Sequence, residues 1–221
     1  MSHSGLGCKV AGRVWNCLAY ADDVVLFAPS WSGLQALMDK FLIAVKSIDM
    51  EINCCKTKCM IFVPKYTRYR FLHDLPKFKL DGIDIEFCDN FRYLGHIICN
   101  TLDDRDDVNR EIRLLFFRSN RLFNKFALCS VSVKKMLWNS FVNCLYGVGI
   151  WRTSDGVLQL FIRSYNLCLK KFFGFRKYDY NRHVLLELGM LSPMTLVVNA
   201  RYRAEHAFLC FAERERSLLG L

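Results

Sequence analysis

Leu18-Ala19-Tyr20-Ala21-Asp22-Asp23-Val24-Val25-Leu26-Phe27-Ala28 places two apolar runs on either side of an acid pair. Runs of this length and composition read as strands, so the stretch predicts a β-hairpin with Asp22 and Asp23 at its tip. Packing does not ask for two acids there. Strand neighbours point to opposite faces, and like charges side by side resist ionising together. A divalent cation removes that penalty, and hard oxygen ligands suit Mg²⁺. On the two letters alone a solvated turn is the plainer reading, because Asp is common in turns.

Working outward, Ser30 or Ser32 can cap a helix whose apolar residues recur at Trp31, Leu34, Leu37, Met38, Phe41, Leu42, Val45 and Ile48. Short strands are expected at 50–53 and 58–63, joined by Cys54–Thr57. Alternation of Phe78, Leu80, Ile83, Ile85 and Phe87 about Asp81-Gly82 is a strong hairpin signal. One further strand is expected over 91–98. After about residue 100 the pattern becomes helical. Asp103, Asp104, Asp106 and Asp107 open a segment that turns basic at Arg113, Arg118, Arg121 and Lys125, an order that suits the helix dipole. Further helices are expected near 132–150 (capped by Ser130 or Ser132), 156–173 (ended by Gly174), 181–188 and 193–211. Strands with one helix, then helices alone, define an α+β chain with a boundary near residue 100.

The chain has 221 residues, 52% of them hydrophobic and 24% charged, which is globular composition without repeats or low-complexity tracts. Met136–Trp151 is the longest stretch free of Asp, Glu, Lys and Arg, at 16 residues, and a bilayer span needs roughly 20. With no apolar signal core at the N-terminus, an intracellular protein of the nucleus or cytoplasm is expected. Its eleven cysteines then read as free thiols without zinc-ribbon spacing. The net charge of +10 is uneven: residues 111–221 carry 17 basic and 7 acidic side chains, and the rest of the chain balances to zero. A basic half favours a polyanionic partner, most simply nucleic acid. Tyr178 and Tyr180 can stack bases, as can Phe175; Phe172 and Phe173 read better as core.

Tyr20-Ala21-Asp22-Asp23 is also the YADD form of a reverse transcriptase motif, and other motifs follow it in order. Ser4–Asn16 looks like the run leading into it, with Cys17 where a His is frequent. Asn53-Cys54-Cys55-Lys56-Thr57-Lys58 looks like the downstream N-x-x-K-[ST] turn. Phe91-Arg92-Tyr93-Leu94-Gly95 looks like a YLG strand, and Glu111-Ile112-Arg113, Lys134, Tyr146-Gly147 and Trp151 like a thumb-side pattern. Together these resemble the non-LTR (LINE-class) retrotransposon reverse transcriptases over roughly residues 4–190. Group II intron and telomerase-type polymerases share YADD-like centres and are more distant.

The resemblance implies an RNA-directed DNA polymerase: part of a right-hand palm (1–99), a helical thumb (100–180) and a C-terminal helical extension (181–221). It implies that Asp22 and Asp23 are catalytic Mg²⁺ ligands in two-metal nucleotidyl transfer. Tyr20, Ala21 and Lys56 would lie at the incoming nucleotide and primer end, and Tyr93, Leu94 and Gly95 at the primer terminus. RNA template and DNA primer are the partners it implies. The family's upstream metal-binding Asp and its fingers do not precede YADD here, so a truncated element, inactive alone, is expected. Its uncovered palm surface is expected to capture a partner. The alternative is a non-catalytic module, derived from a retrotransposon, that binds nucleic acid or protein.

Overall fold

Ser30, not Ser32, starts the first helix: its Oγ accepts a hydrogen bond from the Gly33 N–H at 3.2 Å. The computed structural model describes residues 6–10, 12–62, 76–143, 145–151 and 156–219. Ser4 and Gly5 of the run before YADD, and residue 63 of the strand expected at 58–63, lie outside them. The fold is mixed α+β, as the sequence indicates, and divides into two units, Met1–Phe91 and Arg92–Leu221.

The first unit opens with two antiparallel pairs, β1 (Cys8–Val10) with β2 (Arg13–Trp15) and β3 (Cys17–Tyr20) with β4 (Asp23–Leu26). Helix α1 (Trp31–Lys46) follows, then β5 (Lys58–Cys59), β6 (Phe78–Leu80) and β7 (Ile83–Phe87) in the order β5-β7-β6. β6 and β7 are antiparallel, with Leu80 opposite Ile83 across the Asp81-Gly82 turn, as the alternation predicts. β5 runs parallel to β7.

The apolar stripe over 31–48 is expected to pack on the same sheet as the acid-tipped hairpin, but α1 sits mainly on the separate β5-β7-β6 sheet. It lies against β4 but is seated chiefly on β6. The Gln35 side-chain amide donates to Lys79 O at 2.7 Å and accepts from Lys79 N–H at 3.0 Å, standing in for a neighbouring strand. Trp31 stacks on Phe78 and donates Nε1–H to Pro76 O. Met38, Cys59, Phe78, Leu80 and Ile85 form the buried core beneath. Burial pushes the Cys59 thiol up to about 11, helped by the neighbouring Cys88, as suits a packing thiol. All ten described cysteines are free.

Residues 50–53 form no strand. Asn53 diverts them: its carbonyl accepts from Lys56 N–H and Thr57 N–H, and its Oδ1 accepts from Lys56 N–H at 3.1 Å. Such local bonds compete with a strand ladder. The strand expected over 91–98 is instead a hairpin, β8 (Asn90–Tyr93) and β9 (His96–Cys99). Leu94 and Gly95, at φ +46° and +85°, make the two-residue turn between them.

The second unit holds α2 (Arg105–Phe126), α3 (Val131–Phe141), a 3₁₀ turn (Val148–Ile150), α4 (Gly156–Phe173), α5 (Asn181–Leu188) and α6 (Pro193–Leu219). α3 stops well before 150 because Asn143 turns its carboxamide to Tyr165 and Gly147 takes φ +74°. α2 packs mainly on α4. Among the described residues sixteen buried apolar side chains make this core, against six in the first unit. Each large apolar side chain contributes about 1.5–3 kcal/mol on burial, so the second unit has much the larger hydrophobic stabilisation. At its centre Trp138 stacks on Phe172 and donates Nε1–H to Tyr165 Oη at 2.8 Å, whose hydroxyl donates to Asn143 Oδ1 at 2.6 Å. Burial pushes the Tyr165 phenol up to about 12.

Candidate functional site

The acid pair stands at the tip of the β3–β4 hairpin. Cys17, Leu18, Ala19 and Tyr20 face Leu26, Val25, Val24 and Asp23, leaving Ala21 and Asp22 as the two-residue turn. Ala21 sits at φ +52°, a conformation that costs a Cβ-bearing residue roughly 1–2 kcal/mol. Asp22 and Asp23 are both exposed, and Tyr20 is 67% exposed beside them. Lys56 is exposed on the turn that Asn53 organises, where Thr57 Oγ1 also donates to Asn53 O at 2.9 Å. No hydrogen bond or ion pair among the described residues joins Lys56 to the acid pair.

Two adjacent exposed carboxylates can attract a hydrated cation. Fixing two ions takes carboxylates from more than one chain segment. Among the described residues no three His, Cys, Asp or Glu side chains converge to hold a metal. The described donor set therefore does not fit a two-metal centre.

Tyr93, Leu94 and Gly95 belong to the second unit, at the β8–β9 turn that leads into His96 and a polar centre the sequence reading missed. Asp107, one of the four acids that open α2 and suit its dipole, is 3% exposed. Its Oδ1 accepts from Arg110 Nε at 2.7 Å and Ile97 N–H at 3.0 Å; its Oδ2 accepts from Trp151 Nε1 at 2.9 Å and pairs with His96 Nδ1 at 3.0 Å. Burial pushes this carboxyl up, but the bonds from Arg110, His96, Trp151 and Ile97 outweigh it and hold it well below the usual carboxylate range. Glu111, fully buried, accepts from Arg110 and Arg118. For Glu111 burial wins and the carboxyl is raised.

Tyr146 stacks on the His96 ring at 4.8 Å, and a Cβ at Gly147 would stand 1.8 Å from His96 Cε1. A Cβ at Gly95 would meet Tyr146 at 3.7 Å. Gly95, Glu111, the Tyr146-Gly147 pair and Trp151 thus converge on one cluster built around His96 and Asp107. Their residue types follow from packing and charge pairing there. A hint was available in the sequence: Asp107 and Glu111 lie one helical turn apart, on the side of α2 that carries Val108 and Leu115.

The cations occupy another face of the same unit. Arg113, Phe117, Arg121 and Lys125 recur every fourth residue of α2 and are all exposed, with the Arg121 guanidinium over the Phe117 ring. Lys171 of α4 joins this side, donating to Asn120 Oδ1 and lying over Phe123. From residue 112 to 154 the sequence holds no Asp or Glu. Phe172 is core, and Phe173 and Phe175 pack against that core, whereas Tyr178 is 91% and Tyr180 70% exposed. No single described helix is long and apolar enough to cross a membrane.

The chain with this acid-tipped hairpin and cation-faced helical unit is similar to a retrotransposon Pol polyprotein. The particular similarity is to the Retrovirus-related Pol polyprotein from type-2 retrotransposable element R2DM of Drosophila melanogaster, at 26% identity over 174 residues. The match takes in 73% of this chain and 16% of that polyprotein's length. No protein-family model matches the chain, and no solved structure does.

Proposed function

We propose that this retroelement-derived chain is the palm-and-thumb part of an RNA-directed DNA polymerase, and that its own activity is to hold nucleic acid. The hairpin bearing Tyr20, Ala21, Asp22 and Asp23 is the acidic edge of the polymerase site, with Lys56 on the triphosphate side. The acid pair supplies part of a Mg²⁺-binding set and does not complete one, so the chain by itself does not polymerise. From about residue 100 the second unit is the thumb. Tyr146-Gly147 and Trp151 pack about the His96–Asp107 cluster, next to the palm's Gly95, and the exposed α2 stripe meets the phosphates of a primer–template duplex.

The observation that carries this reading is the acid-free stripe of Arg113, Arg121 and Lys125 on α2, in a chain related to a Pol polyprotein. Phosphate contacts supply most sequence-independent affinity, so exposed cations at helical spacing suit a duplex of any sequence. The test is binding of a labelled RNA–DNA primer–template by the full chain. Reversing two charges, Arg113→Glu with Arg121→Glu, is expected to weaken it at least tenfold. Equal binding by both proteins would reject the α2 face.

A further inference from the structure

Between α4 and α5 the chain makes a corner with an open groove of about 360 Å³, lined by Lys170, Lys177, Tyr178, Tyr180, Asn181 and Arg182, with Asp179. Four features there point the same way. Lys170 is only 8% exposed, and its ammonium donates to one carbonyl, Lys177 O at 3.1 Å. No carboxylate among the described residues is within ion-pair distance of it, and buried ammonium groups are normally paired. Asp179 lines the same groove, but its Oδ2 accepts from the Arg176 N–H at 2.6 Å and closes the loop.

Lys177 and Arg182 add two exposed cations at the rim, and Asp179 is the single acid among residues 156–186, against six Lys and Arg. Helix α5 also begins here. Its first intrahelical bond is Val184 N–H to Tyr180 O, and Tyr180 offers no side-chain cap, so the amides of 181–183 precede the ladder. Finally, Tyr178 and Tyr180 are largely exposed, Tyr178 beneath the Lys177 ammonium and Tyr180 edge-on to His183. Tyrosine suits an interface, since its ring is apolar and its hydroxyl polar.

We propose that this corner is a phosphate-binding subsite for single-stranded nucleic acid. A backbone phosphate sits over Lys170, Lys177 and Arg182, and the flanking bases stack on Tyr178 and Tyr180. A duplex keeps its bases stacked internally and cannot offer them to the tyrosines, so the subsite favours unpaired strand. The proposal rests on the nucleic-acid reading above but concerns a different face from the α2 stripe.

The test uses the full chain, a fluorescein-labelled oligothymidylate and a duplex of equal length. Tyr178→Ala with Tyr180→Ala is expected to weaken single-strand binding about tenfold or more and to leave duplex binding within twofold. Lys177→Ala with Arg182→Ala is expected to reduce the single-strand salt slope by about 1.4. Lys170→Met, checked by its melting curve, is expected to weaken single-strand binding; the exposed pairs decide the matter if it does not fold. If the wild type binds both nucleic acids and neither exposed pair alters single-strand binding, the subsite is rejected while the α2 interface stands. Binding of neither nucleic acid overturns both. Inorganic phosphate that competes as well as oligonucleotide, phosphate for phosphate, also overturns the proposal, because the site then recognises the free ion.

Discussion

Asp107→Asn removes one charge from the most heavily bonded cluster of the second unit with almost no change of shape. In the wild type two carboxylate oxygens accept from Arg110, Ile97 N–H, Trp151 and His96. An Asn keeps one acceptor oxygen and turns an NH₂ donor toward two of those partners. If the oxygen stays with Arg110 and Ile97, the Trp151 indole N–H, on a side chain 2% exposed, faces a donor. One buried donor left unmet costs about 1–3 kcal/mol. Removing one partner of a buried ion pair costs about 3–5 kcal/mol. Arg110 retains Glu111, so the lower ends apply, and the expected loss is about 3–4 kcal/mol. For a unit of this size that lowers the melting temperature by about 10 °C. Near-UV circular dichroism reads it, because Trp138 and Trp151 are both buried there. The pH dependence has a definite sign. Asp107 in the fold is held below its ordinary 3.8, so its stabilisation is whole above that value and drains as acid protonates it. The wild type's advantage is therefore expected to hold from neutral pH down to about 5 and to shrink below about 4. A variant within about 1 kcal/mol of wild type, or a gap that does not narrow in acid, would refute the reasoning.

Gly147→Ala is expected to cost about 3 kcal/mol by urea unfolding, combining a left-handed backbone with a Cβ driven into the His96 ring; a loss below about 1 kcal/mol would contradict that packing. The purified chain is expected to show no primer extension with Mg²⁺ or Mn²⁺, because Asp22 and Asp23 do not make a two-metal set. Extension that disappears in Asp22→Asn would prove the ligand count wrong.

How much was legible in the sequence depended on the range of the forces involved. Local signals were read correctly. Apolar runs about Asp22-Asp23 gave the hairpin, Asp81-Gly82 gave a turn, and Ser30 and Gly174 marked helix ends. Errors arose where a side chain or a positive φ overrode a run of strand-like letters. Asn53 bonded its own neighbours instead of extending, and Leu94, an unlikely residue for φ +46°, turned an expected strand into a hairpin. The largest omission was His96 with Asp107. Acids at a helix start are usually solvated, and nothing within one helical turn of Asp107 tells that Trp151, 44 positions on, donates to it. The acid pair was found because its motif is contiguous. The α2 stripe was found only as net charge, since exposure has to be known before cations become a face.

The most direct test of the central claim, that the cation-faced helical unit binds polyanionic nucleic acid, is the salt dependence of primer–template affinity. If Arg113, Arg121, Lys125 and Lys171 each neutralise one phosphate, log K against log salt falls with a slope of about −3.6. Raising salt from about 50 to about 200 mM then weakens binding about 150-fold. Arg113→Glu with Arg121→Glu should bring the slope to about half. A slope near zero, or one unchanged by those two substitutions, would contradict the account.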